Sequence, residues 1–448
     1  MIKKTKIMCT IGPVTLSKKK ISDLFKAGMD AARINMSHGD FKQYEGIIKN
    51  IRSVCDVPII LDTQGPEVRT VNPYLKFKKN EVISFGLSLD VFSKIKKNDC
   101  LFLNNGLDEG IVDDVKNKKV FLKMKTMGEL APNRSISFKN KKMGLPFLTK
   151  KDLQGLKFAV KNDAGFIALS FTRSKDDVLL AKKKLKSEKV KIIAKIEDQE
   201  GVDNFDEILK VADAVMVARG DLGIEIESEK VPMIQKELIK KCNLSGKPVI
   251  VATQMMESMI NNPTPTRAET SDVANAIIDG ADCLMLSGET SMGKYPKQTV
   301  NAMNKICVNT EKNYVSGVRA FESTAIKLEE VIAYNAYLVS KKLNAKIICL
   351  TRSGYTARMI NKFRPENFII AFTPNKSVAC QLMISYGVLP IHCSEIKEYA
   401  KKEVKNITNL CIQKKLIEKK DIIVFSAGLF VKKTTNTIIA YKAKDLVE

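Results

Sequence analysis

Tryptophan is absent from this chain of 448 residues, histidine occurs twice, and ten cysteines lie scattered from Cys9 to Cys411 without a CxxC pair. Each scarcity removes a class of chemistry. Two histidines, His38 and His392, leave almost no material for a histidine-ligated zinc centre or a histidine-dependent triad. Cysteines without pairing or metal spacing read as reduced thiols. The N-terminus, MIKKTKIMCTIGP, offers only a short apolar run before Gly12-Pro13 and reads as a first strand, so the expectation is a cytoplasmic protein. No apolar run approaches the roughly 18 residues of a membrane span, and no membrane partner is expected. Acidic residues are in deficit, 50 against 74 Lys and Arg, for a formal net charge of +24. The excess is mostly lysine spread through solvated patches such as KSEKVK and KKEVK. Without basic runs interleaved with aromatics there is no stacking groove for a single strand, so no nucleic-acid partner is expected. Attraction of small anions is the better use of that field.

What is present is alternation. Eight short apolar runs, KIMCTI, AARINM, VPIILD, GFIALS, KIIAKI, DAVMVA, PVIVAT and DCLMLS, are separated for the most part by amphipathic stretches such as KKKISDLFKAG and NFDEILKVA. Near-continuous apolar strands alternating with helices predict an α/β fold, a (β/α)8 TIM barrel, over residues 1–69 and 145–322. Two segments break the pattern. Residues 70–144 carry short strand-like pieces and turns and predict a small all-β inserted domain, a lid over the rim. From residue 323 to 448 a second series of helices and strands predicts a C-terminal open α/β domain with a largely parallel sheet.

The strand exits carry the polar residues: Thr10, then Arg33, Asn35 and Ser37, then Asp62 and Thr63, Ser170, Lys195 and Glu197, Arg219 and Asp221, Thr253 and Gln254, and Ser287 and Glu289. In a barrel the C-terminal rim of the strands forms the active site, so these would converge. Side chains at i and i+2 of a strand share a face, which lets Arg33 with Asn35, Lys195 with Glu197, and Arg219 with Asp221 face one cavity. Glu197 and Asp221 suit Mg²⁺, a hard cation held by one or two carboxylates with water and substrate oxygens. Lys195 adds a compact charge for phosphate oxygens. The turn in VARGDLGIEI presents backbone amides to an anion such as a carboxylate. That set fits phosphoryl transfer, where positioning and charge stabilisation do most of the work. Each feature also has a purely structural reading: ion pairs at a barrel end for Lys195–Glu197 and Arg219–Asp221, turn hydroxyls for Ser170, Thr253 and Ser287, a loop histidine for His38. Recurrence at every exit favours a site.

The stretches KIMCTIGP, ARINMSHG, LDTQGPEVRT, IIAKIEDQEGV, VMVARGDLGIEI and KPVIVATQMMESMINNPTPTRAETSDVANAIIDGADCLMLSGET, with LTRSGYTAR more weakly, closely resemble the pyruvate kinase family. The resemblance implies transfer of phosphate from phosphoenolpyruvate to ADP, in a cytosolic glycolytic enzyme that is usually a homotetramer. It implies Glu197 and Asp221 as ligands of Mg²⁺ or Mn²⁺, and Lys195 and Arg33 on the phosphoryl group. The amides of Gly220 and Asp221, with the Thr253 hydroxyl, would take the substrate carboxylate, and Thr253 and Ser287 would belong to the proton route to the enolate. Asn35, Ser37, Asp62 and Thr63 match an all-oxygen K⁺ site, and Glu67 matches the acidic residue of K⁺-dependent members, although Gln64 stands where many of those carry Lys. Pro13, Asn35 and His38 match positions near the nucleotide. The inserted domain is shortened and reads Asn104-Asn105-Gly106-Leu107 where the family commonly has DDGL. In the last domain Thr351, Ser353 and Thr356 match the loop that grips a phosphorylated allosteric effector, while Lys433 stands where the second effector loop has Gly. An ordinary strand-to-helix turn is the alternative there.

Two rivals remain at this stage. A barrel aldolase would use Lys195 as a Schiff-base amine, or Glu197 and Asp221 to hold a metal against an enolate. A catalytically silent binding protein would keep the fold alone. A Schiff-base lysine needs a depressed pKa, whereas Lys195 beside two acids should stay protonated.

Overall fold

The computed structural model describes residues 2–71, 74–138, 141, 143–314, 327–395, 401–428 and 435–447. Eight strands, β1 (Lys6–Thr10), β2 (Ala31–Asn35), β3 (Ile59–Asp62), β4 (Phe166–Leu169), β5 (Lys191–Ile196), β6 (Ala214–Ala218), β7 (Val249–Ala252) and β8 (Cys283–Leu286), pair in parallel and close, β8 returning to β1. Helices cover the outer faces, which is why the strands are buried on both sides and show little apolar alternation. Local signals fix where those helices start. Ser17 caps Lys18–Ala27, and Thr149 and Thr266 form capping boxes with Asp152 and Glu269.

The barrel interior holds Met8, Ala31, Ile60, Ala168, Ile193, Met216, Ile250 and Met285, among others. Two residues on from Met8, Ala31, Ile60, Ala168 and Ile193 come Thr10, Arg33, Asp62, Ser170 and Lys195. The period of two therefore carries one inward-facing column from apolar packing to a polar layer at the C-terminal rim. The opposite mouth is closed by another part of the chain. Ile384 joins the interior cluster, and the backbone N–H of Tyr386 donates to Asp282 Oδ1 at 3.0 Å. Arg364 and Asn361 also reach Asp282 Oδ1, at 3.2 and 3.0 Å.

The inserted segment forms a six-stranded sheet in the order Val68–Arg69, Ser135–Phe138, Cys100–Leu103, Asp108–Lys116, Lys119–Met124, Val82–Phe85, with Leu75–Phe77 and Gly128–Leu130 paired beside it. Its own core includes Phe85, Leu101, Leu103, Val112 and Leu122. Its first strand begins at Val68. C-terminally, β9 (Lys346–Leu350), β10 (Ile369–Thr373), β11 (Val388–His392), β12 (Ile422–Ala427) and β13 (Thr437–Lys442) assemble in the order β11-β10-β9-β12-β13, the last pairing antiparallel and the rest parallel. The expected architecture of barrel, all-β insertion and open α/β sheet is what the chain adopts. All ten cysteines are unpaired, and no described helix is long and apolar enough to cross a membrane.

Candidate active site

At the rim the polar layer condenses around Asp62. Arg33 Nε meets Asp62 Oδ2 at 2.6 Å, and Lys195 Nζ meets Oδ1 at 3.0 Å. Strand pairing explains the first contact: Arg33 and Asp62 sit near the exits of neighbouring strands, where Asn35 faces Asp62 in register. Arg33 Nη1 also donates to Thr10 Oγ1 at 3.0 Å. Lys195 Nζ donates to Ser170 Oγ at 2.7 Å and pairs with Glu197 Oε1 at 2.9 Å. Exposure is 0% for Asp62, 1% for Glu197 and 8% each for Arg33 and Lys195, so these charges interact with little screening from water.

Burial and charge act in opposite directions on each group. Asp62 is buried, yet Arg33 and Lys195 hold its carboxyl below the ordinary range. Lys195 is opposed by burial, but Asp62 and Glu197 raise it above the usual lysine value. Glu197 goes the other way: burial pushes it up to about 7 despite Lys195. Its Oε2 accepts the backbone N–H of Phe171 at 2.6 Å. Asp221 is likewise raised by burial, with the Glu197 carboxyl among its neighbours. Two neighbouring carboxyls, both shifted toward the protonated form, are a donor set of the kind that suits a divalent cation.

Arg33, Lys195, Glu197 and Asp221 thus meet in one place although nearly two hundred positions separate the first and last. Arg219 does not face it as expected. Strand β6 ends at Ala218 and a helix, Arg219–Glu225, begins at once, so the alternation of a strand no longer applies. Arg219 turns outward to Asp272 at 2.8 Å and to the carbonyls of Thr253 and Gln254, while Asp221 reaches the site from the helix. The Gly220 N–H donates to Thr253 Oγ1 at 2.7 Å, linking the exits of β6 and β7.

The remaining expected residues fall around this cluster. Asn35 Oδ1 accepts the Ser37 N–H at 3.1 Å, and Thr63 Oγ1 accepts the Ser170 N–H at 3.1 Å. Both Asp62 oxygens are engaged by cationic side chains, a role not apparent from sequence. Glu67 is raised by burial but paired with Arg69, whose Nε lies 2.9 Å away. Pro13 and His38 lie exposed on the rim. Ser287 donates its N–H to Glu289 at 2.7 Å, and Glu289 also accepts from Met256, tying the β8 and β7 exits together. Thr351 and Thr356 are buried and Ser353 exposed; Thr356 Oγ1 lies 2.7 Å from Thr435 Oγ1. Lys433 lies outside the described residues. Two cavities flank the cluster. One of about 610 Å³ is lined by Leu107, Arg219, Gly220, Ile224, Gln254 and Asp272. The other, about 330 Å³, lies under the inserted sheet between Glu67, Ser137, Phe171, Asp198 and Glu225.

Residues 2–91 and 73–300 match the family model for the pyruvate kinase barrel domain, and residues 330–439 match that for the pyruvate kinase alpha/beta domain. The chain belongs to the pyruvate kinase family. The pyruvate kinase of Staphylococcus aureus (strain MRSA252) is 40% identical, over 97% of this chain and 79% of that protein. The pyruvate kinase of Staphylococcus saprophyticus is 40% identical over 96% and 78%. Pyruvate kinases employ a divalent metal, and the Glu197–Asp221 pair is the part of this rim suited to one.

Proposed function

We propose that the rim cluster transfers the phosphoryl group of phosphoenolpyruvate to ADP, giving pyruvate and ATP, the closing step of glycolysis. The observation that carries this reading is a lysine kept charged by two buried acids, Asp62 and Glu197, the second of which also neighbours the carboxyl of Asp221. Lys195 and Arg33 would grip the phosphoryl group, and Lys195, fixed by Asp62 and Ser170, would offset the charge spread over its oxygens in the transition state. The amides of Gly220 and Asp221 and the hydroxyl of Thr253 would hold the substrate carboxylate. Since Gly220 N–H and Thr253 Oγ1 are bonded to each other, substrate would exchange that bond for two to its own oxygens. Thr253 and Ser287 would lie on the proton route to the enolate carbon. Glu197 and Asp221 would hold Mg²⁺ or Mn²⁺, which would neutralise phosphoryl oxygens.

Asn35, Ser37, Asp62 and Thr63 would supply oxygens to K⁺, with Glu67 as the acidic residue that accompanies K⁺ dependence; Pro13, Asn35 and His38 would border the nucleotide. The wider reading is a cytoplasmic homotetramer with residues 1–69 and 145–322 as catalytic barrel, 70–144 as lid, and 323–448 holding an effector loop at Thr351, Ser353 and Thr356. The charge on Lys195 supports the kinase over a Schiff-base aldolase, whose lysine must be neutral to attack. The test is pyruvate formation from phosphoenolpyruvate and ADP, coupled to lactate dehydrogenase, with Mg²⁺ and K⁺. No turnover would leave a silent binding protein, and a borohydride-trapped adduct at Lys195 would favour the aldolase. In tetramethylammonium buffer without K⁺ the turnover should collapse; full activity there would remove the K⁺ assignment.

A further inference from the structure

At the exit of β7, Thr253 (φ +68°) and Gln254 (φ +53°) both adopt left-handed backbone with no glycine at either position. For a β-branched threonine this is an outlier, and such strain persists only where neighbours over-determine it. The neighbour is Arg219. Its Nη2 donates to Thr253 O at 2.9 Å and Gln254 O at 3.0 Å, its Nε lies 3.3 Å from Thr253 O, and its Nη1 pairs with Asp272 at 2.8 Å with Gln235 Oε1 beyond at 3.4 Å. The guanidinium is a planar fork that spans both carbonyls while Asp272 fixes its other edge, a task a lysine could not reproduce. Left-handed conformation at two successive residues turns both carbonyls toward that fork. The same turn delivers the Thr253 hydroxyl to Gly220 N–H, where its proton goes to Ala252 O at 2.6 Å.

We propose that Arg219, buttressed by Asp272, is a positioning residue that pins the strained Thr253–Gln254 pair and so aims the Thr253 hydroxyl at the substrate. This rests on the kinase reading for its kinetic consequence but not for its structural one. Arg219 touches no reacting atom; it acts through the backbone of Thr253.

The experiment compares the full-length chain with Arg219→Met, Gln254→Gly, Thr253→Ala and their pairwise combinations. Arg219→Met should lower kcat about thirtyfold, with KM for ADP unchanged. Gln254→Gly alone sets the reference turnover for its own background. Combined with Arg219→Met it should recover much of the loss, because glycine adopts positive φ without a clamp. In a Thr253→Ala background, Arg219→Met should cost little more, since the hydroxyl it positions is gone. Hydrogen exchange of the peptide over residues 250–256 should speed up in Arg219→Met and be only partly restored in Arg219→Lys. Should Arg219→Met fail to fold, Arg219→Lys carries the same comparison. Unchanged kcat, absence of rescue by Gln254→Gly, or additivity with Thr253→Ala would each overturn the proposal. If the parent has no kinase turnover, the kinase reading fails separately, and unchanged exchange at residues 250–256 would then overturn the pin by itself.

Discussion

Asp62 is the residue on which the site closes. A single fully buried carboxylate takes one cation on each oxygen, Arg33 and Lys195, and so brings two groups that repel one another into one pocket. Replacing it by asparagine would leave the buried Arg33 facing a neutral partner and Lys195 with Glu197 alone. Asp62→Asn should destabilise the fold by about 3–5 kcal/mol, read as a lower denaturation midpoint, along with loss of turnover. Under the proposed reaction Lys195 differs in kind, because its charge would matter most when the phosphoryl group is in flight. Lys195→Met should reduce kcat about a thousandfold or more while substrate dissociation constants move far less; near-normal turnover would remove it from the chemistry. The inward residues Arg33 and Lys195 were legible from sequence because they continue an apolar strand by steps of two. Arg219 was not, since period-two spacing does not survive the change from β6 to helix at Ala218. Asp272 offered no signal at all, lying in a helix whose contact with Arg219 only the packing of β6 beside β7 creates.

At the scale of elements, the helix Arg219–Glu225 joins the rim to the inserted sheet. Its last residue, Glu225, is pushed up to about 7 by burial and interacts with Ser137 of that sheet. The folded chain therefore holds a proton between the ordinary value of 4.5 and about 7 that the unfolded chain has released. The stability this confers is full below the lower value and fades as pH rises through the upper one. Glu225→Gln should match the parent in acid and exceed it by a few degrees of thermal midpoint above pH 7, a gap that thermal melts across pH would reveal. Another contact lies at Gly106 (φ +84°), where an added Cβ would come within 2.9 Å of Ile224 Cγ1. Gly106→Ala should loosen the insertion from this helix, seen as faster hydrogen exchange in the insertion with the barrel unaffected. The barrel strands were readable because burial on both faces makes them uniformly apolar. Asp108–Lys116 was not, being polar along most of its length, and neither was β11, where Pro390 interrupts the expected pattern.

For the whole molecule, the formal charge of +24 does not fall on the polar layer at the rim, where two cations face three carboxylates. The excess lies elsewhere and supplies a long-range field for anionic substrates, so kcat/KM should fall as ionic strength rises while kcat holds, a split that steady-state kinetics from low to high salt would register. The placement of Ile384 inside the barrel and of Tyr386 on Asp282 has a consequence for biosynthesis. The ribosome delivers all eight barrel strands well before it delivers the plug that seals their far mouth. Until the segment around Ile384 has been made, the nascent barrel stands open at its base, and that interval is when a chaperone has most to cover.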